Sequence, residues 1–208
     1  NYTLKSKFNF KGDLSAFVTS LIFNQSADYT AFINDDKQFI ISISPELFIK
    51  TEGNNLKSKP MKGTMKRGIN LVEDSKRSNQ LFLSAKNRAE NIMIVDLLRN
   101  DIGKISKVNS VLAEPLFEIE KYESLFQMTS TVCGELKENL FSSIIKNLFA
   151  CGSITGAPKI KTMEIIKNLE SENRGIYTGT IGLIDNENLN FNIPIRTIII
   201  NKKDNNGE

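Results

Sequence analysis

Largely apolar, β-prone runs over Tyr29–Asn34 and Gln38–Ile43, bounded by polar positions, predict two strands joined by the polar turn Asn34-Asp35-Asp36-Lys37. Residues 4–10 alternate in part and predict a strand. Pro45 interrupts the pattern, and Leu47–Thr51 resumes it. Gly53-Asn54-Asn55 then reads as a hairpin turn into a further strand. Helical spacing takes over at Leu14–Phe23, with Asp13 as cap. It is strongest from Ser84 to Arg99, where Ser84 can cap and Ile92, Val95 and Leu98 share a face. Leu140–Ala150 and Pro158–Leu169 predict two more helices, the second with proline in its first turn. Ile176–Asp185 and Leu189–Asn201 predict a closing hairpin around Asn186-Glu187-Asn188. Many strands and fewer helices, without strict alternation, imply a layered α+β fold. No internal repeat or low-complexity linker divides residues 1–208, so they read as one domain.

Composition narrows the chemistry. The chain has 208 residues, enough to bury a core without disulfides or metals. It contains no histidine. That excludes Ser–His and Cys–His nucleophile pairs, histidine-ligated zinc and a histidine acid or base. Cys133 and Cys151 are too few for a zinc site or a disulfide scaffold and read as reduced, buried thiols. Acid–base and nucleophilic roles therefore fall to Lys, Glu, Asp, Tyr, Ser or Thr. A metal would be a hard ion held by oxygen. The net charge of +3 makes no case for nucleic acid. No apolar run approaches the ~20 residues of a membrane span, and the first residues carry no signal-peptide pattern. The expected location is cytoplasmic, without membrane or nucleic-acid partners. The chain begins with Asn rather than Met, so it is expected to start inside a longer protein.

Four segments could carry chemistry. Lys59-Pro60-Met61-Lys62-Gly63-Thr64-Met65-Lys66-Arg67-Gly68 places two glycines and four cations in ten residues, suited to an anion or to plain solvated surface. Cys151-Gly152-Ser153-Ile154-Thr155-Gly156-Ala157-Pro158-Lys159 is a small-residue loop entering a helix. It is not a phosphate-binding P-loop, because Ala157-Pro158 separate Gly156 from Lys159. Asn87 and Glu90 share a helix face and could present two oxygens to one Mg²⁺, or simply face solvent. Arg196 lies in an apolar run and needs a fixed anion; spacing does not separate a structural carboxylate from a ligand's.

In order along the chain, these segments resemble the chorismate-utilising enzymes. The matching stretches are Ile43-Ser44-Pro45-Glu46-Leu47-Phe48, Pro60-Met61-Lys62-Gly63-Thr64 with Arg67-Gly68, and Asn87 through Asp101. They continue with Gly152 through Lys159, Arg174-Gly175 with Tyr177, and Ile195-Arg196-Thr197. The resemblance implies the layered α+β fold of the anthranilate synthase component I type, here trimmed at both ends. Anthranilate synthases usually carry Ala where this chain has Lys62. A lysine there resembles the aminodeoxychorismate synthase component I branch, in which it attacks chorismate before ammonia replaces it. Lys59, Lys66 and Arg67 are expected to favour the neutral amine of Lys62.

By the same resemblance Glu46 is the acid for the departing hydroxyl. Its neighbours Leu47 and Phe48 suit a raised pKa. Glu90, with Asn87 weakly, places Mg²⁺. Tyr177 and Arg196 hold the enolpyruvyl carboxylate, Ser153 and Thr155 the ring carboxylate. Gly63, Thr64, Arg99, Lys104 and Ser110 line or support the site. A glutamine amidotransferase is the implied ammonia source. Gln127 stands where the family usually has histidine, and is expected to orient substrate only. Asn87 stands where many relatives have an acid. The family's last helix, with further Mg²⁺ ligands, follows the point where this sequence stops. Anthranilate synthase component I is the nearest alternative. A non-catalytic module binding small anions or nucleic acid is the alternative of another class. It has no account of the motif order, and no stacking aromatics accompany the basic loop.

Overall fold

A computed structural model describes residues 1–25 and 27–208. The elements run β1 (Phe8–Asn9), α1 (Leu14–Asn24), β2 (Tyr29–Asn34), β3 (Gln38–Ser44), β4 (Leu47–Glu52), β5 (Asn55–Lys59) and β6 (Met61–Lys66). They continue with α2 (Leu71–Leu83), α3 (Ala85–Ile105), β7 (Leu112–Ala113), β8 (Glu118–Lys121), β9 (Leu125–Thr129) and β10 (Val132–Glu135). The last are α4 (Phe141–Leu148), the single turn α5 (Gly152–Thr155), α6 (Lys159–Leu169), β11 (Ile181–Asp185), β12 (Asn188–Asn192), β13 (Thr197–Asn201) and β14 (Asn206–Gly207).

The strands form three antiparallel sheets in the orders β1-β14-β13-β3-β2, β11-β12-β4-β5-β10-β7 and β6-β9-β8. Each buries an apolar face under helices. Ile41, Ile43 and Ile200 of the first meet Leu14, Phe17, Val18 and Leu21 of α1. Phe48, Ile49, Leu56 and Phe191 of the second meet Ile94, Leu98 and Ile102 of α3 with Ile144 and Leu148 of α4. Phe126 and Met128 of the third meet Leu81 of α2. The result is the layered α+β arrangement.

Sheets exchange strands at narrow seams. The chain passes from the first sheet to the second at Pro45-Glu46 and returns through Ile193–Arg196. It passes from the second to the third at Pro60 and returns at Ser130-Thr131. Pro60 O and Ser130 N are hydrogen-bonded at 3.2 Å, so that pair of crossings lies side by side. Prolines at three of these points, Pro45, Pro60 and Pro194, fit residues that make no ladder donation.

Several expected elements are corrected. The strand expected over 4–10 shrinks to Phe8–Asn9, because only these residues find a partner strand, β14. The helix expected to end at Arg99 runs to Ile105, carried by buried Leu98, Ile102 and Ile105. Helix α2 was not expected; Asn70 caps Glu73 N and Glu73 returns to Ile69 N, a reciprocal cap. Pro158 stands as the cap of α6 rather than within its first turn. The closing hairpin is β11–β12 only. Pro194 ends it, and β13 joins β3 in another sheet. Cys151 is buried as expected, but Cys133 is only half-buried.

Candidate active site

Glu46 sits at the first seam, 4% exposed. Its backbone is fixed on both sides: Glu46 N donates to Ser44 Oγ at 3.2 Å, and Ile193 N donates to Glu46 O at 3.0 Å. Its Oε1 is buried without a hydrogen-bond partner. Burial pushes the carboxyl up to about 7; the Ser153 hydroxyl, the Lys62 ammonium and the Met61 N–H pull the other way. A carboxylic acid still protonated near neutrality is suited to donating a proton to a leaving group.

Lys62 reaches the same place from β6. Its Nζ donates to Ser153 O at 2.7 Å. Ser153 is 1% exposed, and its Oγ lies 3.4 Å from Cys151 Sγ. Thr155 Oγ1 donates to Cys151 O at 2.9 Å, closing the α5 turn. Burial, seconded by the nearby Glu46 carboxyl, pushes the Cys151 thiol up to about 11, so this sulfur is inert near neutrality. The Asn1 side chain also donates to Ser153 O, and the Asn1 backbone nitrogen to Thr155 O. Lys62, Glu46 and Ser153 therefore form one cluster.

Two of the three cations expected to act on Lys62 are paired with carboxylates. Lys59 pairs with Glu120 and Glu118, and Arg67 grips Asp74 through both Nε and an Nη. Lys159 pairs with buried Asp101 at 2.5 Å, so it fastens α6 to α3.

Gly63 adopts φ +94°, and a Cβ there would come within 3.0 Å of the Asn87 side chain. Helix α3 thus packs directly on the strand bearing Lys62. Asn87 Nδ2 donates to Ser84 Oγ, and Glu90, one turn on, is half-exposed with Lys86 at 4.0 Å. Among the described residues no group of three or more acidic or cysteine side chains could hold a metal. One carboxylate and one amide oxygen fit a hard ion such as Mg²⁺, which takes few protein ligands and completes its shell with water and substrate oxygens.

Thr64 Oγ1 donates to Gln127 Oε1 at 2.9 Å across β6 and β9. Gln127 lines a cavity of about 100 Å³ with Pro45, Tyr122 and Arg196. Arg196 is exposed, at φ +53° on the return crossing Ile193–Arg196 rather than inside a strand. Among the described residues it makes no ion pair, so no structural carboxylate answers its charge. Tyr177 lines a different cavity, of about 270 Å³, with Thr155, Ile154 and Arg174. Arg174 itself is bound to Glu170.

Three expected residues lie apart. Arg99 is exposed and pairs with Asp96; Lys104 caps the end of α3 on Asp101. Ser110 bonds Lys107 O and lines an outer cavity with Tyr29 and Cys133. Two residues of the site were not singled out. Ser44 is fully buried, and its signal is its place beside Glu46 in the matching stretch Ile43-Ser44-Pro45-Glu46. Cys151 was read only as a core thiol.

The family model for chorismate binding enzymes matches residues 1–206. The chain is 44% identical over 172 residues to aminodeoxychorismate synthase component 1 of Bacillus subtilis, covering 82% of this chain and 37% of that protein. It is 37% identical over 197 residues to anthranilate synthase component 1 of Aquifex aeolicus, covering 94% of this chain and 40% of that protein. Among solved structures, anthranilate synthase component I from Streptococcus pneumoniae superposes with TM-score 0.86 at 31% identity, over 97% of this chain and 44% of that one. The chain thus spans well under half the length of these relatives. A family match over nearly every residue, with Glu46, Lys62 and Ser153 gathered at one seam, makes this chain a member of the chorismate-binding enzyme family.

Proposed function

We propose that the chain is the core of an aminodeoxychorismate synthase component I, aminating chorismate with ammonia in the para-aminobenzoate and folate branch. The observation that carries this reading is Lys62, set beside a buried acid with its Nζ on the Ser153 carbonyl. The several relatives named aminodeoxychorismate synthase support it. The Lys62 nitrogen, through its lone pair, bonds to C2 of chorismate as the two ring double bonds shift and the C4–O bond breaks. Glu46 gives its proton to the departing hydroxyl, which leaves as water. Ammonia then adds at C4, the double bonds return, and the C2–N bond to Lys62 breaks, giving 4-amino-4-deoxychorismate. The Arg196 guanidinium, which makes no ion pair among the described residues, holds a substrate carboxylate, and Gln127 in the same cavity orients the ring, while Tyr177 lines a different cavity.

Glu90 and Asn87 would hold Mg²⁺, which when bound supplies Lewis-acid charge at the ring carboxylate. These 208 residues hold no histidine and so no Cys–His glutaminase pair, and ammonia is supplied by a glutamine amidotransferase subunit or domain; the setting is the cytoplasm. The 37% identity to an anthranilate synthase over 94% of the chain keeps that activity as the second reading. The test is to give the full-length protein chorismate, Mg²⁺ and ammonium and identify the product. 4-Amino-4-deoxychorismate, lost in Lys62→Ala, is the expected result. Anthranilate as product, or an unimpaired Lys62→Ala, overturns the reading.

A further inference from the structure

We propose that Ser44 is a positioning residue for this site, joining the two strand crossings that carry Glu46 and Arg196. The inference rests on the reading of Glu46 as the acid. Ser44 ends β3 and is fully buried. Its Oγ donates to Ile193 O at 2.5 Å and accepts from Glu46 N at 3.2 Å. Ile193 N closes the loop by donating to Glu46 O at 3.0 Å. Beside this loop, Ile43 N donates to Arg196 O at 3.2 Å, and Thr197 Oγ1 donates to Ser42 Oγ at 3.0 Å. One hydroxyl thus spends its donor and an acceptor site on backbones that belong to different crossings.

A buried hydroxyl is costly unless bonded, and so are the groups it serves. Removing it leaves Ile193 O and Glu46 N without this partner inside the protein. Water is the available replacement, and a water admitted between the crossings would also reach the Glu46 carboxyl, whose Oε1 has no partner. The groups facing Glu46 are Lys62 and the Met61 N–H from β6, and Ser153 with Cys151 around α5. A substitution at Ser44 alters none of them, so a change at Glu46 reports on the seam.

The experiment is a carbon-13 NMR titration of glutamate-labelled full-length protein without substrate, with Glu46→Gln assigning the resonance. The wild-type midpoint is expected near 7. In Ser44→Ala it should fall by about one unit toward the ordinary range, and in Ser44→Cys, which keeps a weak donor, by less. In the same Ser44→Ala protein, kcat for chorismate should fall by about tenfold with KM little changed. An unmoved midpoint in folded Ser44→Ala overturns the inference. So does failure of both variants to fold, which would make Ser44 a scaffold residue. A shifted midpoint in a protein that does not turn over chorismate supports the seam's control of Glu46 and removes the functional reading instead.

Discussion

Ser153 touches both Lys62 and Glu46: its carbonyl oxygen accepts from Lys62 Nζ at 2.7 Å, while its hydroxyl serves the Glu46 carboxyl. The two contacts are separable, because substitution removes the hydroxyl and keeps the carbonyl. The hydroxyl favours the ionised carboxylate, so its loss should raise the Glu46 midpoint above 7. In Ser153→Ala, the alkaline limb of kcat/KM against pH should therefore move up by roughly half a unit to one unit. A limb that stays in place would show that the hydroxyl does not act on the acid.

Glu46 also makes fold stability depend on pH. Its carboxyl is held at about 7 in the folded chain against 4.5 when free. Between those values the folded state binds more protons than the unfolded one, so stability falls as pH rises and levels off above 7. The difference is about 3 kcal/mol for this group alone. Urea denaturation at pH 5 and pH 8 should show it, and Glu46→Gln should remove most of the slope. An equal slope in wild type and variant would place the effect elsewhere.

The ion pairs behind the site should differ sharply in worth. Asp101 is buried and pairs with Lys159, itself only 15% exposed. Asp101→Asn leaves that lysine charge buried and unanswered, at a cost of about 3–5 kcal/mol. The thermal unfolding midpoint should fall by roughly 6–20 °C. Lys104 bonds the same carboxylate, but from a side chain 52% exposed. Lys104→Ala should cost about 1 kcal/mol or less. Equal losses in the two variants would contradict this division.

Much of this was legible from the chain, and the gaps have physical causes. The antiparallel ladders from Tyr29 to Lys59 fall where the apolar runs and the Gly53-Asn54 turn put them, although β3 is buried on both faces and the β4–β5 register shifts between Leu47 and Lys50. Lys62, Glu46 and Ser153 were singled out by motif and lie together. Helix α2 was missed because its polar sequence buries only Asp74 and Leu81. The late hairpin was read as continuing through β13, because periodicity reports which face is buried and not which sheet receives it. The cations near Lys62 were counted without their partners, since Glu118, Glu120 and Asp74 lie on other elements. Ser44 lies in a matching motif stretch, but its hydrogen bond to Ile193 O joins residues 149 positions apart and leaves no mark in local sequence.

Gly63 should resist any side chain. Its φ of +94° disfavours other residues, and a Cβ would press on Asn87 at 3.0 Å. Gly63→Ala should lose about 1–3 kcal/mol of stability and displace Lys62 beside it. Adding Asn87→Ala relieves the contact but not the backbone, so the double variant should recover only part of the loss. Full recovery, measured by thermal unfolding, would place the whole cost in the contact.

Gln127 tests how the site works without histidine. Its Oε1 accepts from Thr64 Oγ1, which leaves the amide nitrogen to donate toward the cavity it shares with Arg196. An amide does not titrate, so Gln127 can orient a substrate hydroxyl but adds no limb to the pH profile. Gln127→Ala should therefore lower kcat/KM by about tenfold, the worth of one hydrogen bond, and leave the profile's shape intact. Gln127→His restores a ring that can carry a proton, yet the amide's orienting bond already fills the role. Its rate should stay within a few-fold of wild type, measured as aminodeoxychorismate formed from chorismate and ammonium. A gain of a hundredfold or more would mean that proton transfer at this position limits the reaction. Glu46 would then no longer suffice as the acid.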